Sequence, residues 1–168
     1  PVEFFETVFV NPAFFMYQKF LFDRLVVADE NLTPYKPQLA SEYHVSEDGL
    51  TIEFVLRDGI YWHDGQPITA EDVEFTVEYS ARVPQLNAVA AQTYASLEGY
   101  EEFVSGQADG ISGIVIDGNK ITFKFATVDP NALLTFSQWP PLPKHLLADT
   151  DPVQAQRAAY WQAPVGSG

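Results

Sequence analysis

Apolar and polar residues alternate strictly along two stretches of the chain. Over 50–57, Leu, Ile, Phe and Leu hold the even positions, and Thr, Glu, Val and Arg stand between them. Over 114–125 the same alternation flanks the triplet Asp117-Gly118-Asn119, which is typical of a tight turn. A period of two indicates a strand with one buried face. We therefore predict a strand over 50–56 and a hairpin over 114–125.

Turn sequences bound the first of these strands. Ser46, Glu47 and Asp48 precede Gly49, so short side chains that can bond their own backbone stand before a residue that accepts positive φ. Asp58-Gly59 ends the strand, and Asp64-Gly65 forms a further turn after a short apolar run. The stretch 37–75 therefore predicts turn, strand, turn and, at its end, a helix.

Helix starts are marked by capping residues. Thr69 followed by Asp72 resembles a capping box and predicts a helix over about 70–82. Asn11-Pro12 predicts a helix over about 12–25 that is apolar on most sides. Further helices are predicted within 85–97, over 100–105, and after Asp129-Pro130 and Asp151-Pro152, whereas 139–143 is too rich in proline to be helical. Hairpins mixed with helices, without regular βαβ alternation, favour an α+β fold.

Charge and composition exclude several classes of function. The chain has 168 residues, 23 of them acidic and 9 basic, for a net charge of −14. A protein this acidic is a poor partner for nucleic acid or an anionic membrane, and no apolar run suits a membrane span. The absence of cysteine excludes disulfides and thiolate metal sites. Because the chain opens at Pro1, we expect a fragment or a processed product.

Candidate catalytic chemistry is sparse. His44, His63 and His145 are far apart and show no metal-ligand spacing, so no metal site and no cofactor are expected. Adjacent acids at 47–48, 71–72 and 101–102 would suit a secreted glycoside hydrolase only if two carboxyls faced each other across a cleft. Two of these pairs are already explained as turn and cap residues. An adhesive module is a third hypothesis, if aromatic side chains are exposed at a partner interface.

Aromatic residues make up 14% of the chain. Phe, Tyr and Trp are prime core residues, and they also line the walls of ligand clefts. The sequence pattern leaves both roles open.

The stretch 37–75 resembles a long phrase in family 5 of the extracellular solute-binding proteins, the oligopeptide-, dipeptide- and nickel-type proteins that serve ABC importers. The matching residues are Pro37, Leu39-Ala40-Ser41, Val45 to Thr51, Phe54, Leu56 to Gly59, Trp62 to Gly65, Pro67, Thr69 to Val73 and Phe75. Tyr43 and Tyr61 depart from the pattern. Further similar segments are 21–26, 112–114, Leu142 to Leu147 and Pro164 to Gly168.

The resemblance implies an architecture. Family members are two-lobed clamps of the periplasmic-binding-protein type, cluster C, with a mixed or antiparallel sheet and flanking helices in the first lobe. Residues 1–41 would form the edge of the larger subdomain of that lobe, 42–163 its smaller subdomain, and 164–168 the return to the larger subdomain. The second lobe would be absent, and with it the acidic residue that receives the amino terminus of a peptide.

The resemblance also implies ligand-binding residues and no catalytic residues. The loop entering the first helix would line the cleft, together with residues flanking the smaller subdomain and residues near the hinge. These are Phe9, Val10, Asn11, Pro12, Ala13, Phe14, Tyr94, Trp139, Ser167 and Gly168. Trp62 and His63 are expected to be scaffold.

The function implied is that of a binding protein without enzymatic activity. It would capture a peptide on the outer side of the cytoplasmic membrane, in a periplasm or as a lipid-anchored protein, and deliver it to ABC permease subunits. We expect a monomer that binds no nucleic acid and does not insert this segment into a membrane. An oligosaccharide, suited to the rings of Phe14, Phe15 and Tyr17, and a nickel chelate are the alternative ligands.

Overall fold

The computed structural model describes residues 20–28, 35–83 and 87–167. The strands are β1 (Val26–Ala28), β2 (Tyr35–Pro37), β3 (Ala40–Val45), β4 (Thr51–Leu56), β5 (Ile114–Asp117) and β6 (Lys120–Lys124). The α-helices are α1 (Ala70–Ala81), α2 (Ala88–Ala95), α3 (Tyr100–Val104), α4 (Ala132–Gln138) and α5 (Lys144–Leu147). Two 3-10 helices follow, at Pro152–Arg157 and Ala159–Gln162.

The strands form two antiparallel sheets. β1 pairs with β2, and the larger sheet has the order β3-β4-β6-β5. Its centre is set by the register of β4 against β6, in which Ile52 faces Phe123 and Phe54 faces Ile121. Hairpins and helices without parallel crossovers confirm the predicted α+β class.

The predicted strand over 50–56 is confirmed as β4, one residue shorter at its start. Ile52, Phe54 and Leu56 are buried, and the residues between them are half-buried. The turn before it is also confirmed, because Asp48 Oδ1 accepts from the amide of Leu50 at 3.0 Å and Gly49 has a φ of +71°. The hairpin over 114–125 is confirmed as β5 and β6.

The pairing partner of β4 on its other side is β3, which the residue pattern did not predict. Ser41, Glu42 and His44 on this strand are exposed, and the pairing shifts register between Ala40 and Glu42. An edge strand with a bulge shows no strict alternation, because its side chains face solvent and one residue is left out of the ladder.

The capped helix is confirmed as α1. The Thr69 side chain accepts from the amide of residue 72, and Asp72 Oδ2 accepts from the amide of Thr69 at 2.9 Å. The helix ends at Ala81, with Arg82 as its C-cap. The capping box therefore sets the start of the helix, as the sequence predicts.

The helix predicted over 12–25 is wrong at its end. Residues 12–19 lie outside the described part of the chain, and within 20–25 only residues 20 and 21 are helical. From Phe22 the chain is no longer helical, because the carbonyls of Arg24 and Leu25 accept from the amides of Leu39 and Gln38. Tertiary pairing with the segment before β3 thus ends the helix four residues early.

Two later helix starts differ in detail. α4 begins at Ala132, two residues after Pro130, because Asp129 Oδ1 accepts from the amide of Asn131 and holds a turn there. Asp151 opens a 3-10 helix rather than an α-helix, and its Oδ1 accepts from the amide of Val153 at 2.9 Å. The extended connection over 139–143 is confirmed.

The core contains most of the described aromatic rings. Phe136 of α4 packs on the inner face of the sheet, with its ring centroid 4.5 Å from Phe123 and 5.2 Å from Phe54. A second buried cluster, between α1 and the C-terminal part, comprises Phe22, Tyr79, Val83, Leu142, Leu147, Ala155 and Trp161. For these rings, packing is the role that the structure shows. The predicted subdomain boundary after residue 41 falls within β3 and stays a prediction.

Candidate functional site

The C-terminal segment returns to the beginning of the described chain. The Ser167 amide donates to the Leu21 carbonyl at 2.8 Å, and Ser167 Oγ accepts from the amide of Asp23 at the same distance. Two segments separated by more than 140 residues are therefore paired through backbone and hydroxyl groups. We call 166–167 the return segment.

Gly166 fits between two neighbours that leave no room for a side chain. Its carbonyl accepts from the amide of His63 at 2.9 Å. A Cβ at this position would collide with the Leu21 carbonyl and would lie 3.0 Å from Cε1 of His63. The close approach of three backbone segments thus requires glycine here.

Three polar residues, Asp23, Arg24 and Gln38, lie beside the return segment. Gln38 connects the two neighbouring residues, because its Nε2 donates to Asp23 Oδ1 and its Oε1 accepts from the Arg24 amide. Burial raises the pKa of Asp23, opposed by the nearby charge of Arg24 and the Gln38 bond. Burial likewise lowers the pKa of Arg24, which is 2% exposed, and Asp23 opposes that shift. These charges are therefore partly desolvated and compensate each other.

The loop Trp62–Gly65, which we call the WHDG loop, touches the same region. Trp62 is buried, and its Nε1 donates to Asp72 Oδ2 at 3.4 Å. Asp64 Oδ2 lies 2.7 Å from His145 Nε2 in α5, and this bond is the largest cause of the lowered pKa of Asp64. Sequence reasoning missed this pair because its members are 81 positions apart. Only the presence of an acid in one family-like segment and a histidine in another could have suggested it.

Of the predicted ligand-binding residues, Tyr94 and Trp139 lie in the core. Tyr94 is 2% exposed and Trp139 is 7% exposed, and both belong to the main hydrophobic cluster. Burial raises the pKa of the Tyr94 hydroxyl, so it stays protonated. Among the described residues, neither side chain hydrogen-bonds to the return segment, and their contact with a ligand stays a prediction.

Ser167 is half-buried and is part of the return segment. The remaining predicted contacts lie outside the described residues. They are Phe9, Val10, Asn11, Pro12, Ala13, Phe14 and Gly168. Phe15 and Tyr17, invoked for a sugar ligand, also lie outside.

Two of the candidate catalytic carboxylates, Asp48 and Asp72, accept hydrogen bonds from backbone amides. Asp48 closes the turn before β4, and Asp72 caps α1 and also accepts from the amide of Lys144 at 2.9 Å. Within 20–28, 35–83 and 87–167, no group of three His, Asp or Glu residues is placed to hold a metal ion. In the same part of the chain, no helix has the length and apolarity needed to cross a bilayer.

Comparison with known proteins decides the family. The model of the bacterial extracellular solute-binding proteins, family 5, middle region, matches residues 34–168. The chain belongs to this family.

Relatives of this family 5 chain are binding proteins. A protein of Brucella ovis, whose name provisionally describes an ABC transporter peptide-binding protein, is 31% identical over 148 residues, which cover 88% of this chain and 25% of the relative. NikZ from Campylobacter jejuni, solved in complex with Ni(L-His), is 26% identical with a TM-score of 0.70, covering 88% of this chain and 26% of NikZ. AppA from Bacillus subtilis, solved with a nonapeptide, has a TM-score of 0.76 at 24% identity, covering 95% of this chain and 29% of AppA.

The family 5 chain thus spans about a quarter of the length of these relatives. The fold likeness confirms the prediction that it is part of a periplasmic-binding-protein-like molecule. The family and its relatives are solute-binding components of transporters, and these comparisons give no support to the glycoside hydrolase hypothesis. The family match includes Tyr94, Trp139, Ser167 and Gly168 but not the loop 9–14.

Proposed function

We propose that the protein to which this chain contributes is the substrate-binding component of an ABC importer, and that its ligand is a peptide. The observation that carries this proposal is the family 5 match over 34–168, together with a relative named for peptide binding at 31% identity. We further propose that it acts outside the cytoplasmic membrane, in a periplasm or held by a lipid anchor, as a monomer that delivers peptide to membrane permease subunits.

The proposed ligand wall consists of the loop 9–14 and the end of the chain. Ser167 supports this assignment, since its bonds to Leu21 and Asp23 fix it beside the segment that follows this loop. Gly168, the next residue in the sequence, is part of the same proposal. Tyr94 and Trp139 remain in the proposal as residues that shape the wall from the core, where both are packed.

The proposed mechanism is capture without chemical change to the ligand and without a cofactor. The paired backbones at the return segment give a rigid wall, and a second lobe outside this chain would close over a ligand held against it. Closure shifts the population from open to closed only as far as the ligand binds the closed state more tightly. This chain alone is therefore expected to bind peptide weakly, because half of the contacting surface is missing.

Calorimetric titration of the full-length protein with a mixed peptide pool tests the proposal. We expect saturable binding with an affinity in the micromolar range or tighter. A single peptide isolated from the pool should reproduce it. Binding of cello-oligosaccharides but not peptides would replace peptide by sugar as the ligand. Release of reducing sugar from a polysaccharide would overturn the absence of catalysis.

A nickel chelate is the second candidate ligand, favoured by the likeness to NikZ, which was solved with Ni(L-His). The described residues provide no metal-ligand cluster, so they could contribute only indirect contacts to such a ligand. Titration of the same protein with nickel and histidine, and with each alone, distinguishes this candidate. Binding that requires both components would favour it over peptide.

A further inference from the structure

Three of the segments that resemble family 5 meet at the WHDG loop. The loop belongs to the long matched stretch, His145 belongs to the segment 142–147, and Gly166 belongs to the segment 164–168. Asp64 contacts His145, and His63 contacts Gly166. The loop is therefore a junction between α5 and the return segment.

The inner side of the loop is fixed to the protein interior. The Trp62 indole is buried and donates to Asp72, while the Trp62 amide donates to the Gln66 carbonyl at 2.8 Å. The Gly65 amide donates to the Trp62 carbonyl at 2.9 Å. Asp64 also closes the turn, because its Oδ1 accepts from the amide of Gln66 at 3.1 Å.

On its outer side, the loop is held by a contact between Asp64 and His145. Asp64 and His145 expose 30% and 32% of their side chains, so the pair is reachable by water yet short, at 2.7 Å. Asp64 uses its two oxygens for different purposes, Oδ1 for the turn and Oδ2 for His145. Removing His145 therefore releases Asp64 Oδ2 without removing the turn itself.

The return segment is held from two sides. The His63 amide binds the Gly166 carbonyl, and on the other side Leu21 and Asp23 bind Ser167. A Cβ at Gly166 would collide with the Leu21 carbonyl and lie 3.0 Å from Cε1 of His63, so the segment fits closely between these two neighbours. A shift of the WHDG loop must therefore be transmitted to Gly166 and Ser167.

We propose that Asp64 and His145 are positioning residues for ligand capture, because their hydrogen bond fixes the WHDG loop that clamps the return segment into the ligand wall. This inference rests on the proposed function, since it concerns the placement of Ser167 in the proposed ligand wall. Neither residue contacts the ligand. The pair acts through the His63 amide and the Gly166 carbonyl.

The test uses the full-length protein with His145→Ala, Asp64→Asn and the double variant. The matched control is Glu53→Gln, which breaks the ion pair of Glu53 with Lys120 on the sheet, 3.1 Å long and 34% and 38% exposed. Peptide affinity is measured by calorimetry, thermal stability by its midpoint, and the exchange of the Ser167 amide by hydrogen–deuterium exchange.

We expect His145→Ala to raise the Kd for peptide about threefold and to speed Ser167 exchange by a similar factor, since a partly exposed polar pair shifts an equilibrium by roughly two- to fivefold. The Kd of the double variant should be no higher than that of the single variant with the higher Kd, because the two residues act as a unit. Glu53→Gln should lower the thermal midpoint as much as His145→Ala does and leave both Kd and exchange unchanged.

The outcomes separate this proposal from the proposed function. If the wild-type protein binds peptide and His145→Ala binds it with the same Kd, the positioning role is overturned while the proposed function stands. If the wild-type protein binds no peptide, the proposed function fails, and unchanged Ser167 exchange in His145→Ala would then reject the clamp as well. If Glu53→Gln loses as much affinity as His145→Ala, the effect of His145→Ala comes from a general loss of stability. The positioning role is then overturned.

Discussion

The hydroxyl oxygens of Thr93 and Thr135 lie 2.7 Å apart in the core, between α2 and α4. Neither side chain is exposed to solvent. Thr93 Oγ1 also donates to Asp129 Oδ2 at 2.6 Å, so it must accept the hydrogen of Thr135. One direction of hydrogen bonding therefore satisfies all three groups and joins two helices to the turn before α4.

Thr93→Val removes the central group of this arrangement while keeping its shape. We expect a loss of about 1–3 kcal/mol in the free energy of unfolding, because Thr135 and Asp129 both lose a partner. Urea unfolding of the full-length protein at neutral pH provides the measurement.

Thr135→Val is the matched control. It removes only one bond and leaves Thr93 free to donate to Asp129, so the expected loss is smaller, about 0.5–1.5 kcal/mol. Equal losses for the two variants would contradict the direction of hydrogen bonding described here.

Local features of the fold were predictable from sequence. The turn at Asp48-Gly49, the strand after it and the capped start of α1 depend on residues within a few positions of one another. The side chains within such an element are enough to predict it. The two-lobed architecture was predicted from the family resemblance, because the hydrophobic periodicity of the chain does not indicate it.

Features that depend on distant partners were not predictable. The early end of the helix before β1 follows from backbone pairing with Gln38 and Leu39, and β3 is a strand only because β4 lies beside it. The ion pair of Asp64 with His145 likewise joins residues that no spacing rule connects. Of the candidate site, the sequence indicated Ser167 through resemblance, whereas its bonds to Leu21 and Asp23 required the structure.

Asp72 is the next residue to test, because it is 5% exposed and its carboxylate accepts from the amides of Thr69 and Lys144 and from the Trp62 indole. Asp72→Ala removes the cap of α1 and takes away the acceptor of three donors, of which the Trp62 indole is buried and the amides of Thr69 and Lys144 are partly buried. We expect a loss of about 2–4 kcal/mol in the free energy of unfolding. Chemical denaturation measures it.

Glu71→Gln is the control for the Asp72 variant, since it removes an exposed acid from the same helical turn. Its expected effect is within about 0.5 kcal/mol. A loss at Asp72→Ala no larger than that of Glu71→Gln would show that the three donors find other partners.

Asp64 provides a pH-dependent prediction. Its bond with His145 lowers its pKa below the ordinary value of 3.8. A carboxyl with a lowered pKa in the folded protein stabilises it above the unfolded pKa, and this contribution is lost as the pH falls through the folded pKa. Between about pH 5 and about pH 2, the thermal midpoint of the wild type should therefore fall more steeply than that of Asp64→Asn. The difference should be small, because the pair is partly exposed.

His145→Ala is the companion variant, because it removes the largest cause of the lowered pKa. It should flatten the acid limb of the stability curve to nearly the same extent as Asp64→Asn. Acid limbs of equal slope in wild type and both variants would show that the pair does not contribute to stability at these pH values.

Glu74 provides a prediction of opposite sign, because its pKa is raised whereas the pKa of Asp64 is lowered. Burial raises its pKa above the ordinary value of 4.5, the negative charges of Glu78 and Glu71 add to the rise, and Lys144 opposes it. A carboxyl with a raised pKa in the folded protein costs stability above that folded pKa, and the cost disappears below the unfolded pKa. Glu74→Gln should therefore raise the thermal midpoint at pH 7, and the gain should vanish as the pH falls below about 4.5.

The control for this last variant is Glu101→Gln in α3, which neutralises an exposed glutamate. It removes the same charge from an acidic protein, so it measures how much of any gain comes from the net charge of −14 alone. A gain at Glu74→Gln that exceeds the gain at Glu101→Gln, and only above the unfolded pKa, is the result that burial of Glu74 requires. Equal gains would assign the effect to net charge, because burial acts on Glu74 and not on Glu101.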